Sequence, residues 1–287
     1  MKFPARILLS QDKKFMKRTK DALKQFKTKR RLATIFILVI VIVLGYNRFY
    51  NYVSNYYEAT DNAWTYINEP ADGVTVEYVD NTIVFSPDTG ATTGFIFYPG
   101  GLVETEAYAP LMEKLAENGI ECILVEMPYY LAIFDANGAN GIQDEYPEID
   151  NWYIGGHSLG GAMAGLYAER HSNEYDGIVL LAAYSTKDLT DSDLDVLLIR
   201  GSEDGVLNMD KYNENLVNLP VDYTEVIIDG GCHSYFGDYG IQAGDGTPTI
   251  TVEEQTEDTV EAILEFILFG ESDILSKPLH IALASAR

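Results

Sequence analysis

The chain of 287 residues has only two cysteines, Cys122 and Cys232, which excludes a disulfide framework. A body of this size must then be held by its apolar core, and both thiols are expected to be free, Cys122 in a strand-like run and Cys232 in a loop. No cysteine or histidine cluster has the spacing of zinc ligands, and no metal or cofactor is expected. Basic residues are nearly missing after residue 31, where 8 Lys and Arg face 42 Asp and Glu. A body with a formal charge of −34 is a poor partner for nucleic acid or an anionic membrane, so neither is expected to bind it. Internal repeats are also missing.

The first 31 residues have the opposite balance, 12 basic against 2 acidic, a charge of +10. Next to them lies the one long apolar run, residues 32–46 (LATIFILVIVIVLGY), about 22 Å long as a helix at ~1.5 Å per residue. Extended past Arg48, whose long side chain can reach the interface, to Tyr50, it approaches the ~20 residues of a membrane span. Tyr46, Phe49, Tyr50 and Tyr52 would form its aromatic belt. A cleaved signal peptide is the competing reading, but the basic lead-in is long and no small-x-small cleavage site follows before Asn55. The run is therefore read as an anchor in the cell membrane, with the basic end cytoplasmic and the acidic body outside. Phe15, Met16, Leu23 and Phe26 among the lysines suit an amphipathic helix on anionic lipid, against a solvated tail.

The body reads as alternating strands and helices. Residues 74–79 and 82–86 flank Asp80-Asn81 as a hairpin. Apolar runs at 94–98, 122–126, 152–155, 177–183, 195–200 and 224–229 are separated by helical or polar segments, with helices from near Pro110 to Gly119, at 159–171 and at 252–269. Such alternation implies an α/β fold, a mostly parallel sheet covered on both faces and preceded by one transmembrane helix. The expected organisation is a basic tail (1–31), an anchor (32–50), a stalk (51–72), the α/β domain (73–270) and a carboxy-terminal tail (271–287).

The most informative stretch is Gly156-His157-Ser158-Leu159-Gly160, where a short apolar run passes directly into an alanine-rich helix. Gly-x-Ser-x-Gly there reads as a strained strand-turn-helix elbow that exposes the Ser158 hydroxyl as a nucleophile, with Leu159 N–H at a helix start as an oxyanion donor. Of four histidines, His157 would point away from the hydroxyl, His171 lies three turns along the helix and His280 is in the tail. His233 follows the last strand in a glycine-flanked loop and is the candidate base. Asp204, in a glycine-bracketed turn after an earlier strand, is the candidate acid, with Glu203 as the runner-up. The loop Tyr98-Pro99-Gly100-Gly101 follows the third strand and offers the N–H of Gly100, Gly101 or Leu102 as the second oxyanion donor, a choice the sequence leaves open. Tyr129, Tyr130, Phe134, Tyr235 and Phe236 are candidate pocket walls.

With YPGGLVETEAYAPL, GGHSLGGAMAGLYA, IRGSEDGV and GGCHSYFGDYG in place, the chain resembles the α/β-hydrolases, and among them the bacterial dienelactone-hydrolase-like group. The resemblance covers residues 73–269 and implies an α/β-hydrolase fold with a Ser158, Asp204, His233 triad. It departs at the nucleophile, because dienelactone hydrolases proper use cysteine where this chain has Ser158. That favours a serine esterase acting on a small-molecule or lipid-like acyl substrate. The alternative is a catalytically silent surface domain that uses the fold for binding.

Overall fold

The structure, a computed structural model, describes residues 5–269 and 281–283. The chain parts into two compact units between Asn55 and Tyr56. The first is a single helix, α1 (Ala5–Val53), which runs through the basic segment and the apolar run without a break. Leu, Lys, Arg, Gln and Ala dominate the basic segment, and all are good helix formers. The basic tail is therefore helical from Ala5 onward. Thr19, Thr28 and Thr34 donate their hydroxyls to the carbonyls of Phe15, Lys24 and Arg30 at 2.9, 2.9 and 3.0 Å. These bonds satisfy each threonine within the helix. The part Phe15–Val53 has a mean hydropathy of 2.2 over its most apolar window, none of it buried in protein, and is long and apolar enough to cross a membrane. Tyr46 and Tyr50, one turn apart, stack with ring centroids 6.2 Å apart.

The expected stalk is mostly part of the second unit. Tyr57 pairs with Val103 in an isolated bridge, and Thr60 N–H donates to Asp238 O at 2.9 Å. Thr60 then caps α2 (Asp61–Asn68), its hydroxyl accepting from Ala63 N–H at 3.2 Å, and Ala63 is fully buried. Tyrosine and asparagine without clear periodicity hid this short helix, because its burial rests on one small residue.

Among the described residues the sheet has nine strands: β1 (Val74–Val79), β2 (Thr82–Pro87), β3 (Thr93–Tyr98), β4 (Ile120–Val125), β5 (Asn151–His157), β6 (Gly177–Leu181), β7 (Asp195–Gly201), β8 (Thr224–Ile228) and β9 (Ile281–Leu283). Their order is β1-β2-β4-β3-β5-β6-β7-β8-β9. From β4 through β8 every pairing is parallel, and antiparallel strands close both edges. The helices α3 (Ala109–Glu117), α4 (Leu159–His171), α5 (Met209–Asn215) and α6 (Val252–Phe269) complete the second unit.

Strand alternation builds a core on each face. On one side Phe95, Phe97 and Leu197 join Met112 and Leu115 of α3 and Ile263 and Phe266 of α6. On the other Ile96, Tyr98, Ile154 and Leu198 join Ala164 and Tyr167 of α4 and Tyr212 of α5. Each such large side chain contributes about 1.5–3 kcal/mol on burial. Two strand ends differ from the sequence reading. β5 continues to His157, and β6 stops at Leu181 because Ala182, at φ +46°, turns the chain away. Residues 281–283, expected as tail, pair with β8. The remainder of that tail and His280 lie outside the described residues.

Candidate active site

Parallel strands bring their carboxyl ends to one edge of the sheet, so the loops after β3, β5, β7 and β8 meet there. These carry Gly100 and Gly101, Ser158, Asp204 and His233 respectively.

Ser158 stands between β5 and α4 at φ +52°, ψ −117°, a backbone region that costs a non-glycine residue of order 1–3 kcal/mol. The surroundings hold it there. Ser158 N–H donates to Leu181 O of β6 at 2.9 Å, and Ala162 N–H donates to Ser158 O at 3.0 Å. The two flanking glycines are required by close approach. A Cβ on Gly160 would overlap the carbonyl oxygens of Tyr98 and Pro99, and one on Gly156 would lie 2.6 Å from Gly160 C. Among the described residues Ser158 Oγ has no hydrogen-bond partner in this structure, and such pairs commonly tighten only once substrate is bound.

Asp204 and His233 are brought together directly. His233 Nδ1 lies 2.9 Å from Asp204 Oδ2, with both side chains 2% exposed. The other carboxylate oxygen, Oδ1, accepts from Val206 N–H and Leu207 N–H, each at 2.8 Å. The carboxylate is thus fixed on both sides, and Nε2 is the imidazole nitrogen left for proton transfer. Glu203, the alternative acid, is exposed, and its Oε1 accepts from Ser202 Oγ at 3.3 Å.

Two residues that sequence reasoning missed hold the histidine loop. Asp245 Oδ1 accepts from Gly205 N–H at 3.1 Å, His233 N–H at 3.2 Å and Gly246 N–H at 2.8 Å. Its Oδ2 accepts from Ser234 N–H at 2.8 Å and Ser234 Oγ at 2.5 Å, so one carboxylate ties the acid loop to the base loop. Burial pushes the Asp245 carboxyl up, but the bonds from Ser234, Gly205 and Gly246 outweigh it and leave it below its ordinary value. Gln255 of α6, fully buried, clamps the Cys232 peptide, accepting its N–H at 2.9 Å and donating to its carbonyl at 2.8 Å. A glycine-bracketed aspartate like Asp204 was the available signal for Asp245. Gln255 has none in its own stretch of chain.

On the opposite side of Ser158, the loop after β3 narrows the open choice of oxyanion donor. Gly100 N–H donates to Tyr108 Oη at 2.9 Å, and Leu102 N–H donates to Tyr130 O at 2.7 Å. The Gly100 and Leu102 N–H groups, two of the three candidates, are thus already bonded within the protein. Gly101 N–H has no acceptor among the described residues. Leu159 is the first residue of α4, so its N–H has no helical partner.

His157 lies inside the site rather than beside it. Its ring centroid is 4.6 Å from that of His233 and 5.6 Å from Phe236, and its Nδ1 lies 2.8 Å from Tyr108 Oη. Burial first, and then the neighbouring His233, pushes its pKa well below the ordinary value, with a smaller opposing effect from the His233 backbone. His171 pairs with Glu174 at 3.0 Å on the far end of α4. Of the candidate pocket walls, Phe236 is buried in the core, whereas Tyr129 and Phe134 are 58% and 53% exposed. Tyr129 and Tyr130 line a cavity of about 440 Å³ at the carboxyl end of β4, together with Thr105, Glu126, Met127 and Asp135. Tyr235 is half-buried beside His233. Cys122 and Cys232 are free and buried, and burial pushes the Cys232 thiol up to about 12. Among the described residues no group of three or more His, Cys, Asp or Glu side chains is arranged to hold a metal ion.

A family model described as the alpha/beta hydrolase family matches residues 94–257, a span that takes in β3 through the start of α6 and all the residues above from Gly100 to Gln255. Compared with curated proteins, the chain matches none.

Proposed function

Because the chain belongs to the α/β-hydrolase family, we propose that it is a serine hydrolase that cleaves an ester or related acyl bond through Ser158, His233 and Asp204. The observation that carries this reading is the buried 2.9 Å contact of His233 with Asp204, at the edge where Ser158 occupies its strained turn. Neutral His233 takes the Ser158 proton through Nε2 as Oγ attacks the acyl carbon, and Asp204 holds the imidazole by Nδ1 and stabilises the imidazolium. Negative charge on the substrate oxygen is received by Gly101 N–H and Leu159 N–H, the latter at the positive end of α4. His233 then returns the proton to the leaving alkoxide. Water, activated by the same histidine, releases the acid from the acyl-enzyme.

The sequence blocks favour the dienelactone-hydrolase-like group, with serine in place of cysteine. The substrate is a small-molecule or lipid-like acyl compound. The apolar part of α1 serves as a single-pass anchor in the cell membrane. The +10 segment stays in the cytoplasm and the hydrolase unit lies outside, since basic flanks are retained on the cytoplasmic side. Hydrolysis of 4-nitrophenyl esters of graded chain length by the purified chain in detergent, beside Ser158→Ala, tests the activity. Equal rates for the two proteins would refute it.

A further inference from the structure

We propose that Tyr108 and His157 are positioning residues that orient the oxyanion loop, by holding the Gly100 N–H so that the next peptide presents Gly101 N–H to the substrate oxygen. The inference rests on the serine-hydrolase reading and adds to it a relay of neutral groups outside the triad.

The relay joins three separate stretches of chain. Gly100 lies in the loop after β3, Tyr108 ends the 3₁₀ turn Thr105–Tyr108, and His157 is the last residue of β5, directly before the nucleophile. Gly100 N–H to Tyr108 Oη is 2.9 Å and Tyr108 Oη to His157 Nδ1 is 2.8 Å, with Tyr108 0% and His157 1% exposed. A Cβ on Gly100 would stand 2.7 Å from both Oη and Nδ1, so only glycine lets the backbone come this close.

Counting protons fixes the direction of the relay. The phenol oxygen already accepts from Gly100, and its single proton needs an acceptor in a site without water access. His157 Nδ1 is the acceptor within reach, which makes His157 the Nε2–H tautomer. Nε2 is buried and makes no hydrogen bond of good geometry. Burial keeps the ring neutral, so Nδ1 stays available.

Gly101 is thereby bracketed. The peptide N–H before it is tied to Tyr108, and the one after it is tied to Tyr130 O at 2.7 Å. A donor held from both sides loses little freedom when charge develops, which is the condition for effective oxyanion stabilisation. The loop is also registered on the residue next to Ser158, so nucleophile and donor are placed by the same strand end.

The test uses the full chain in detergent with 4-nitrophenyl butyrate and the variants Tyr108→Phe, His157→Leu and His157→Asn. Tyr108→Phe removes only a hydroxyl, and Asn keeps an acceptor close to the place of Nδ1. The expected result is a fall in kcat of roughly 10–10²-fold for Tyr108→Phe and His157→Leu, less than the 10²–10³ for outright loss of a donor. KM should stay within about twofold, and His157→Asn should recover most of the rate. Affinity for a boronic-acid transition-state analogue should fall in step with kcat/KM, which a loss of packing alone would not produce. A kcat within about twofold of wild type in Tyr108→Phe, or equal impairment of the Leu and Asn variants, would overturn the proposal. If Ser158→Ala is fully active, the failure belongs to the serine-hydrolase reading instead.

Discussion

The two sides of Ser158 are held by different chemistry. On the side of the base, carboxylates do the fixing: Asp204 accepts two N–H groups and faces His233, and Asp245 accepts five donors from Gly205, His233, Ser234 and Gly246. On the oxyanion side the fixing groups are neutral, a phenol, an imidazole kept uncharged by burial, and the Tyr130 carbonyl. Charge-assisted bonds are about twice as strong as neutral ones and suit a loop that must carry an imidazolium. Where negative charge develops on the substrate, a carboxylate would repel it, so the same strength would oppose the reaction. In the proposed mechanism the division follows the sign of the charge that each side would stabilise.

Replacing Ser158 by Ala breaks both sides at once, since neither has a reaction left to serve. The expected loss is on the order of 10⁶ in kcat, as for removal of the nucleophile in a comparable triad. Folding should survive, because a hydroxyl without a partner contributes little to packing. Calorimetry alongside the assay checks both parts.

Asp204→Asn attacks the charged side alone. The amide keeps the shape but favours the wrong imidazole tautomer, and turnover should drop by about 10⁴ with the melting temperature little changed. Steady-state kinetics with a loss of less than tenfold would remove Asp204 from the role of acid.

Asp245→Asn should act mainly through stability, turning an acceptor toward Ser234 into a donor. A cost of about 2 kcal/mol follows from lost bonds to a charged group, read as a lowered midpoint in denaturant. The folded-state pKa of Asp245 lies below the ordinary 3.8, so its contribution is fully present above that value and is lost as pH falls through the folded value. The variant should therefore show a smaller loss of stability on acidification than wild type. Equal slopes in the two proteins would show that Asp245 is not the fastener described.

The smallest effect is expected from removing residues 1–55. The apolar run 32–46 of that unit is exposed, whereas the second unit encloses two cores of its own. Turnover of a soluble ester should change by less than about twofold, while the protein moves from the membrane to the soluble fraction. Sedimentation of cell extracts with activity assays would detect the opposite outcome.

Much of this was readable in the sequence, for identifiable reasons. Strands buried on both faces give continuous apolar runs such as GFIFY and DVLLIR, and the elbow declares itself because Gly156 and Gly160 must yield to backbone. Asp204 and His233, which meet at 2.9 Å, could be singled out because each follows such a run in a glycine-flanked loop. What stayed hidden depends on contacts between distant segments. Asp245 sits between glycines as a local signal, but it is one acid among 44 and its own stretch does not say that Gly205, His233 and Ser234 would meet it. The place of His157 in the elbow describes its direction from the serine hydroxyl but not that Tyr108 and His233 meet it there. Gly100 and Gly101 look alike in the sequence, and only the place of the Tyr108 hydroxyl separates them.

The most direct measurement is the site of covalent labelling. The full chain in detergent would be treated with a fluorophosphonate and examined by intact mass and peptide mapping, beside Ser158→Ala and His233→Ala. The account predicts one adduct per chain, on Ser158, absent from Ser158→Ala and formed far more slowly in His233→Ala. An unlabelled wild-type chain that is folded, or an adduct on another residue, would contradict it.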